Sequence, residues 1–218
     1  MSSLDEILDA AEHVFALQGY GGASMRQIAE EAGVAQALLH YHFKTKDKLY
    51  EAIFARRATV INGFRESALD ELFRDNKKPT LEDVLDILFS LPAQNLIQNK
   101  QHGNAFQQIV SAVSVSDDPR SQELMVKYYD PIARRFIEAL QQVVPGLSAH
   151  DATWAYLFAL GARMQTNARN DRAHRLTRGK DGKSPHARIL PFVAAGIRDM
   201  VKQAGETPPA TKPRPKAR

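Results

Sequence analysis

The stretch Ser24-Met-Arg-Gln-Ile-Ala-Glu-Glu-Ala-Gly-Val-Ala-Gln-Ala-Leu-Leu-His-Tyr-His-Phe-Lys-Thr-Lys46 leaves few folds open to this chain. Ile28, Ala29 and Ala32 form one apolar stripe at helical spacing. Gly33 stands where that helix must end in a left-handed residue, a conformation only glycine adopts without cost. Val34 restarts the chain, and Leu38, Leu39 and Phe43 supply a second apolar side. Helix, glycine turn, helix is the helix-turn-helix, whose second helix enters the major groove of DNA.

The motif carries more detail than that. Ser24-Met-Arg-Gln-Ile-Ala, Ala32-Gly-Val, Leu39-His-Tyr-His-Phe-Lys-Thr-Lys and Leu49 together resemble the DNA-binding domain of the TetR family of bacterial repressors. The resemblance reaches back to Ile7-Leu-Asp-Ala-Ala, Phe15 and Gly19-Tyr20, and covers about residues 4–54. It departs from many relatives at Ala35, where Ser or Thr is common, and at His40, where Tyr is common. Without a hydroxyl at Ala35, the cap of the second helix is weakened.

The resemblance implies an all-α fold: a three-helix DNA-binding domain at residues 1–48, then a helical effector-binding and dimerisation domain at 49–205. The segment 206–218, rich in proline and basic residues with no repeating apolar position, is expected to be disordered. It can attract phosphates weakly or simply solubilise.

Local signals place the elements. Ser3-Leu-Asp-Glu6 is a capping box opening a helix that carries Leu4, Ile7, Leu8, Ala11, Val14 and Phe15 and ends at Gly19. Ser24 and Gln27 repeat that signal. Thr45 caps a fourth helix through Leu49, Ile53 and Phe54, and the mixed segment Tyr50 to about Phe73 links the domains. Thr80-Leu-Glu-Asp83 and Asp118-Pro119 open further helices, and a helix is expected near 103–115. Pro131 is expected to kink the helix of Leu124, Tyr128, Ile132, Phe136 and Leu140, which Pro145-Gly146 ends. Ser148 starts a helix with Trp154, Leu157, Phe158 and Gly161. Residues 171–184 read as a polar loop. Ser184-Pro185 starts a last helix containing Pro191.

Composition narrows the chemistry. Zero cysteines among 218 residues exclude a disulfide scaffold, thiolate metal sites and a cysteine nucleophile. No metal motif, phosphate loop or nucleophile–base spacing is visible, so no enzymatic role, catalytic residue, metal or cofactor is expected. No apolar run is long enough to span a bilayer, and Met-Ser-Ser-Leu-Asp-Glu is no signal peptide, so a cytoplasmic protein is expected.

Net charge is +4, which favours a polyanionic partner. Yet residues 1–46 hold three basic side chains (Arg26, Lys44, Lys46) against six acidic ones (Asp5, Glu6, Asp9, Glu12, Glu30, Glu31), net −3. Asp5, Asp9 and Glu12 are expected on a polar side of the first helix turned away from DNA.

Candidate contacts follow from the motif. Ser24 and Arg26 stand at the start of the second helix, where Arg26 reaches a base edge or phosphate or is solvated. Gln36 suits adenine N6 and N7. Ala35 and Ala37 are small enough for close approach. Leu38 touches a thymine methyl or is core. The resemblance implies that His40 and His42 lie near phosphates; Tyr41 packs there or contacts one. Lys46 begins the fourth helix, where its ammonium and backbone N–H groups can face a phosphate. The DNA-binding set is therefore Ser24, Arg26, Ala35, Gln36, Ala37, Leu38, His40, Tyr41, His42 and Lys46. The partners implied are a pseudo-palindromic double-stranded operator, a second copy of the chain, and a small-molecule effector. The layout of the second domain resembles relatives that sense acyl-type or other apolar metabolites. Gln107, Gln108, Tyr128 and Arg134 either line that effector pocket or are structural, and none is assigned to it. Small residues on the last two long helices, Gly161-Ala162 and Ala194-Ala-Gly196, suit a dimer interface or close packing within one subunit.

Overall fold

In a computed structural model, the chain is described over residues 3–74, 78–90, 100–167, 171–178 and 185–204. Among these residues every regular element is a helix. The expected tail at 206–218 lies outside them.

Helix α1 (Ser3–Gly22) breaks at Gly19, whose φ of 69° is left-handed. Helix α2 (Met25–Glu31) is closed by the expected capping box: the Gln27 N–H donates to Ser24 Oγ, and the Ser24 N–H donates to Gln27 Oε1. It ends as the sequence predicts. Gly33 has φ 65°, its N–H donates to Glu30 O, and the Val34 N–H donates to Ala29 O. These two bonds satisfy carbonyls that the helix end would orphan. Helix α3 (Gln36–His42) starts at Ala35 with no side-chain cap, as the missing hydroxyl requires.

Helix α4 (Lys46–Arg74) then runs unbroken for 29 residues. Thr45 Oγ1 caps it by accepting the Lys48 N–H. Position 48/49 falls inside this helix. Helices α5 (Leu81–Phe89), α6 (Lys100–Ser114), α7 (Pro119–Tyr128), α8 (Asp130–Val143), α9 (Ala149–Asn167), α10 (Asp171–Leu176) and α11 (Pro185–Ala204) follow.

Two expectations are corrected here. Pro131 does not kink one long helix. The chain separates into α7 and α8 at Tyr129 (φ −121°), and Pro131 falls in the first turn of α8, where its missing N–H has no partner to lose. Residues 171–184 are not loop throughout, because α10 occupies the first six.

Two apolar cores result. The first gathers Ile7, Phe15, Ile28, Leu39, Leu49 and Phe54 from α1 to α4, with Phe106, Ile109 and Val113 of α6. The second gathers Leu69 of α4 with Leu85, Ile132, Phe136, Ala155 and Ile197 of α5, α8, α9 and α11. Helix α4 belongs to both, so the packing of the helix-turn-helix is physically continuous with that of the second domain.

Candidate nucleic-acid interface and second-domain cavity

The turn and α3 hold Gln36 on an exposed face with Arg26, Ala35, Ala37, His40, Tyr41, His42 and Lys44. Tyr41 is 81% exposed, too much for a packing role. Leu39 is fully buried and Phe43 packs on the core, so these two anchor α3 while the alternating polar residues stay outside. Leu38 is half-buried. Ser24 is committed to the cap of α2. Arg26 Nε donates to Glu30 Oε1 at 2.8 Å, an exposed pair that a phosphate can displace at little cost. Gln36 Nε2 lies 3.4 Å from His40 Nε2.

Lys46 is placed differently from expectation. Its ammonium donates to Tyr20 O at 2.8 Å and Ala23 O at 2.9 Å, and sits 4.3 Å from the centre of the Tyr20 ring. It ties the end of α1 to the start of α4. The backbone N–H groups of that helix start can still face a phosphate.

The expected polar side of α1 is also corrected. Glu12 is fully buried. It accepts from Arg57 Nε at 2.7 Å, Arg57 Nη2 at 2.8 Å and Arg56 Nη2 at 2.6 Å, while Asp9 accepts from Arg56 at 2.7 Å. The missing cations are on α4. This cluster answers much of the −3 charge of residues 1–46, and it locks α1 to α4.

Helix α7 joins the same region from the second domain. Asp47 accepts from the Tyr20 hydroxyl and from Arg120 Nε, both at 2.6 Å, and the Arg120 guanidinium lies 3.6 Å from the Tyr20 ring centre. Those bonds, Tyr20 first, hold the Asp47 carboxyl below its ordinary range. Lys127 donates to Glu51 at 2.5 Å.

Beyond these links lies a cavity of about 350 Å³ between α4, α6, α7, α8 and α9, within the size range of small-molecule sites. Its wall is mostly apolar, with Phe106, Val110, Met125, Ile137, Leu160 and Met164. Gln107 and Arg134 line it; Gln108 and Tyr128 do not. Sequence reasoning missed Arg65 and Arg163, which are buried in its wall with Tyr129 and Tyr156. Burial first, then the Arg65 charge, pulls the Arg163 guanidinium down to about 9, and burial raises the Tyr156 phenol to about 12.

Among the described residues no group of three or more acidic or imidazole side chains is placed to hold a metal ion, and no helix is long and apolar enough to cross a membrane.

Comparison with known proteins agrees with this architecture. Residues 7–53 match the family described as bacterial regulatory proteins, tetR family, and residues 88–196 match the tetracyclin repressor-like C-terminal domain. The chain is 38% identical over 63 residues to the HTH-type transcriptional activator FasR of Mycolicibacterium smegmatis, covering 28% of this chain and 29% of that protein. It is 32% identical over 101 residues to the HTH-type transcriptional repressor AcnR of Corynebacterium diphtheriae, covering 44% and 53%. These matches thus span about a third to a half of the relatives' own length. A transcriptional regulator structure from Pseudomonas aeruginosa PAO1 superposes with TM-score 0.62 at 18% identity, covering 93% of each chain, a likeness of fold. The chain belongs to the TetR family of DNA-binding bacterial transcriptional regulators.

Proposed function

We propose that this chain is a homodimeric repressor that leaves a pseudo-palindromic operator when a small, largely apolar molecule occupies the second-domain cavity. The observation that carries it is α4. Its first turn abuts the helix-turn-helix, and its Ile61 and Arg65 line the cavity. Helix α7 couples the same two places, with Arg120 and Lys127 on the α4 start and Met125 on the cavity. An occupant that shifts either helix must shift the recognition helix. DNA binding then changes because both half-sites are engaged together, about 34 Å apart for sites one helical turn apart. The name of the AcnR relative supports repression; that of FasR is the reason to test the direction of regulation.

In this proposal residues 1–48 bind DNA and 49–205 hold effector and partner. Gln36 reads a base, with Ala35, Ala37 and Leu38 against the groove. Arg26, His40, Tyr41 and His42 meet the backbone, as does the α4 start at Lys46, and Ser24 holds α2 in place for them. The partner surface is on α9 and α11. Trp154, Phe158 and Phe192 are 45%, 61% and 74% exposed, an apolar face rarely left to water. A Cβ added to Gly161 or Gly196 meets nothing within 4 Å, so these glycines are open to a second copy, whereas Ala194 is buried within the subunit.

The test is selection of a duplex from random sequence, followed by binding across salt and by analytical ultracentrifugation. One dimer per pseudo-palindrome, with affinity falling steeply as salt rises, is expected. Equal affinity for selected and random duplex at physiological salt refutes sequence-specific binding, and a monomeric Phe192→Glu variant that binds as well as wild type refutes the dimer.

A further inference from the structure

Arg65 and Arg163 break a rule that the described residues otherwise keep. The other buried guanidinium among the described residues, Arg57, is matched by the carboxylates of Glu12 and Asp9. Arg65 and Arg163 are only 5% and 9% exposed, and no carboxylate among the described residues comes within ion-pair distance of either. Asp130, the acid in the same cavity wall, pairs instead with the exposed Arg134. The stretch 91–99 that follows Ser90 contains neither Asp nor Glu. What the two guanidiniums have is weak. Arg65 Nη2 donates to Leu88 O at 3.4 Å and Arg163 Nη2 to Ser90 O at 3.5 Å, both long, at the C-terminal end of α5. Arg65 Nε is buried with no hydrogen-bond partner among the described residues. Each cation also raises the cost of its neighbour, since like charges repel in a poorly solvated site.

Uncompensated buried charge is strongly destabilising, and the usual cure is a counter-charge. Both arginines line the cavity, whose remaining wall is apolar apart from the Asp130–Arg134 pair and a few hydroxyls and amides. We propose that Arg65 and Arg163 form an anion receptor, and that the effector is an amphiphilic acid whose oxyanion head pairs with them while its apolar body lies along Phe106, Val110, Ile137 and Leu160. This deepens the effector assignment made above and rests on it. A planar guanidinium fork accepts a carboxylate or a phosphate through paired N–H bonds, so the shared chemistry is a compact oxyanion on an apolar body. Tyr129 and Tyr156, whose side chains carry hydroxyl donors, line the same wall.

Full-length protein is titrated with decanoate, decyl phosphate, 1-decanol and decylamine, read by calorimetry and by thermal shift. The acids bind at least about tenfold tighter than the alcohol, the worth of one charge-assisted hydrogen bond, and the amine does not bind. The better of the two acids identifies the head. Arg65→Met and Arg163→Met lose this preference, keep alcohol binding and raise the melting temperature of the unliganded protein, because the unmatched charge is gone. Arg163→Lys keeps the charge without the fork and falls between. The assignment is overturned if the alcohol binds as tightly as the acids, if the Met variants keep the anion preference, or if no compound binds. If the acids bind with the expected preference but the operator complex does not respond to them, the anion receptor stands and the effector role of the cavity fails.

Discussion

Replacing Glu12 with Gln tests how α1 is held to α4. Glu12 is fully buried and accepts three hydrogen bonds from two arginines. In the variant Arg56 retains Asp9 at 2.7 Å, but Arg57, itself only 8% exposed, keeps a single carboxylate at 3.8 Å. Breaking a buried pair by removing one partner costs about 3–5 kcal/mol, and Asp9 puts this case at the lower end, about 3 kcal/mol. For a chain of this length that corresponds to a Tm drop of about 6–12 °C. The assay is urea and thermal unfolding at one fixed protein concentration, since the proposed dimer would make stability concentration-dependent. The urea midpoint should fall with an unchanged m-value. Glu12→Met combined with Arg57→Met should recover most of the loss, because a well-packed apolar pair replaces the ion pair without leaving an orphan. A cost under about 1 kcal/mol for Glu12→Gln, or a double variant as unstable as the single, would refute the claim that this cluster carries uncompensated-charge energetics.

Gly33→Ala forces a side chain into φ 65° with nothing nearby to clash, so the cost is the left-handed backbone alone, about 1–2 kcal/mol by chemical unfolding. Gln36→Ala should weaken operator binding by about 1–3 kcal/mol and relax preference at one base position in a binding-site selection. Asp118, which caps α7, has its carboxyl held down to about 2, first by the Ser116 hydroxyl and then by Ser121. A depressed carboxyl contributes stability above its unfolded value and loses it as pH falls through the folded one, so the Tm difference between wild type and Asp118→Asn should shrink between about pH 4 and about pH 2.

Much of this molecule is readable from its residues because the informative signals are local. The Gly33 turn, the Ser24 and Thr80 capping boxes and the Asp118-Pro119 start each involve groups within a few positions of one another, and each forms as the pattern requires. The junction at Tyr129 is local too, since Pro131 fits the first turn of a new helix as well as the interior of a long one. What escaped was tertiary. A carboxylate such as Glu12 on a helix face reads as solvated until Arg56 and Arg57, on another helix, are brought to it. Arg65 and Arg163 look like ordinary surface cations, and only the arrangement of α4 and α9 around one cavity puts both in its wall. Lys46 fits a phosphate contact by position, but the carbonyls left open where α1 breaks at Gly19 lie closer.

The unbroken run of α4 has a mechanical meaning. Its 29 residues form a rod about 43 Å long, and Arg65 sits about 28 Å from Lys46 along it at about 1.5 Å per residue. A rod of that length is a lever arm. Pivoting it by about 5° at the cavity swings its far end by about 2.5 Å, given the same rise per residue. Hydrogen bonds to bases tolerate only about 0.5 Å of stretch before they are lost. If the cavity takes an effector as proposed, a rearrangement there smaller than a single bond length is geared up, at the start of α4, into a displacement several times what a base hydrogen bond tolerates.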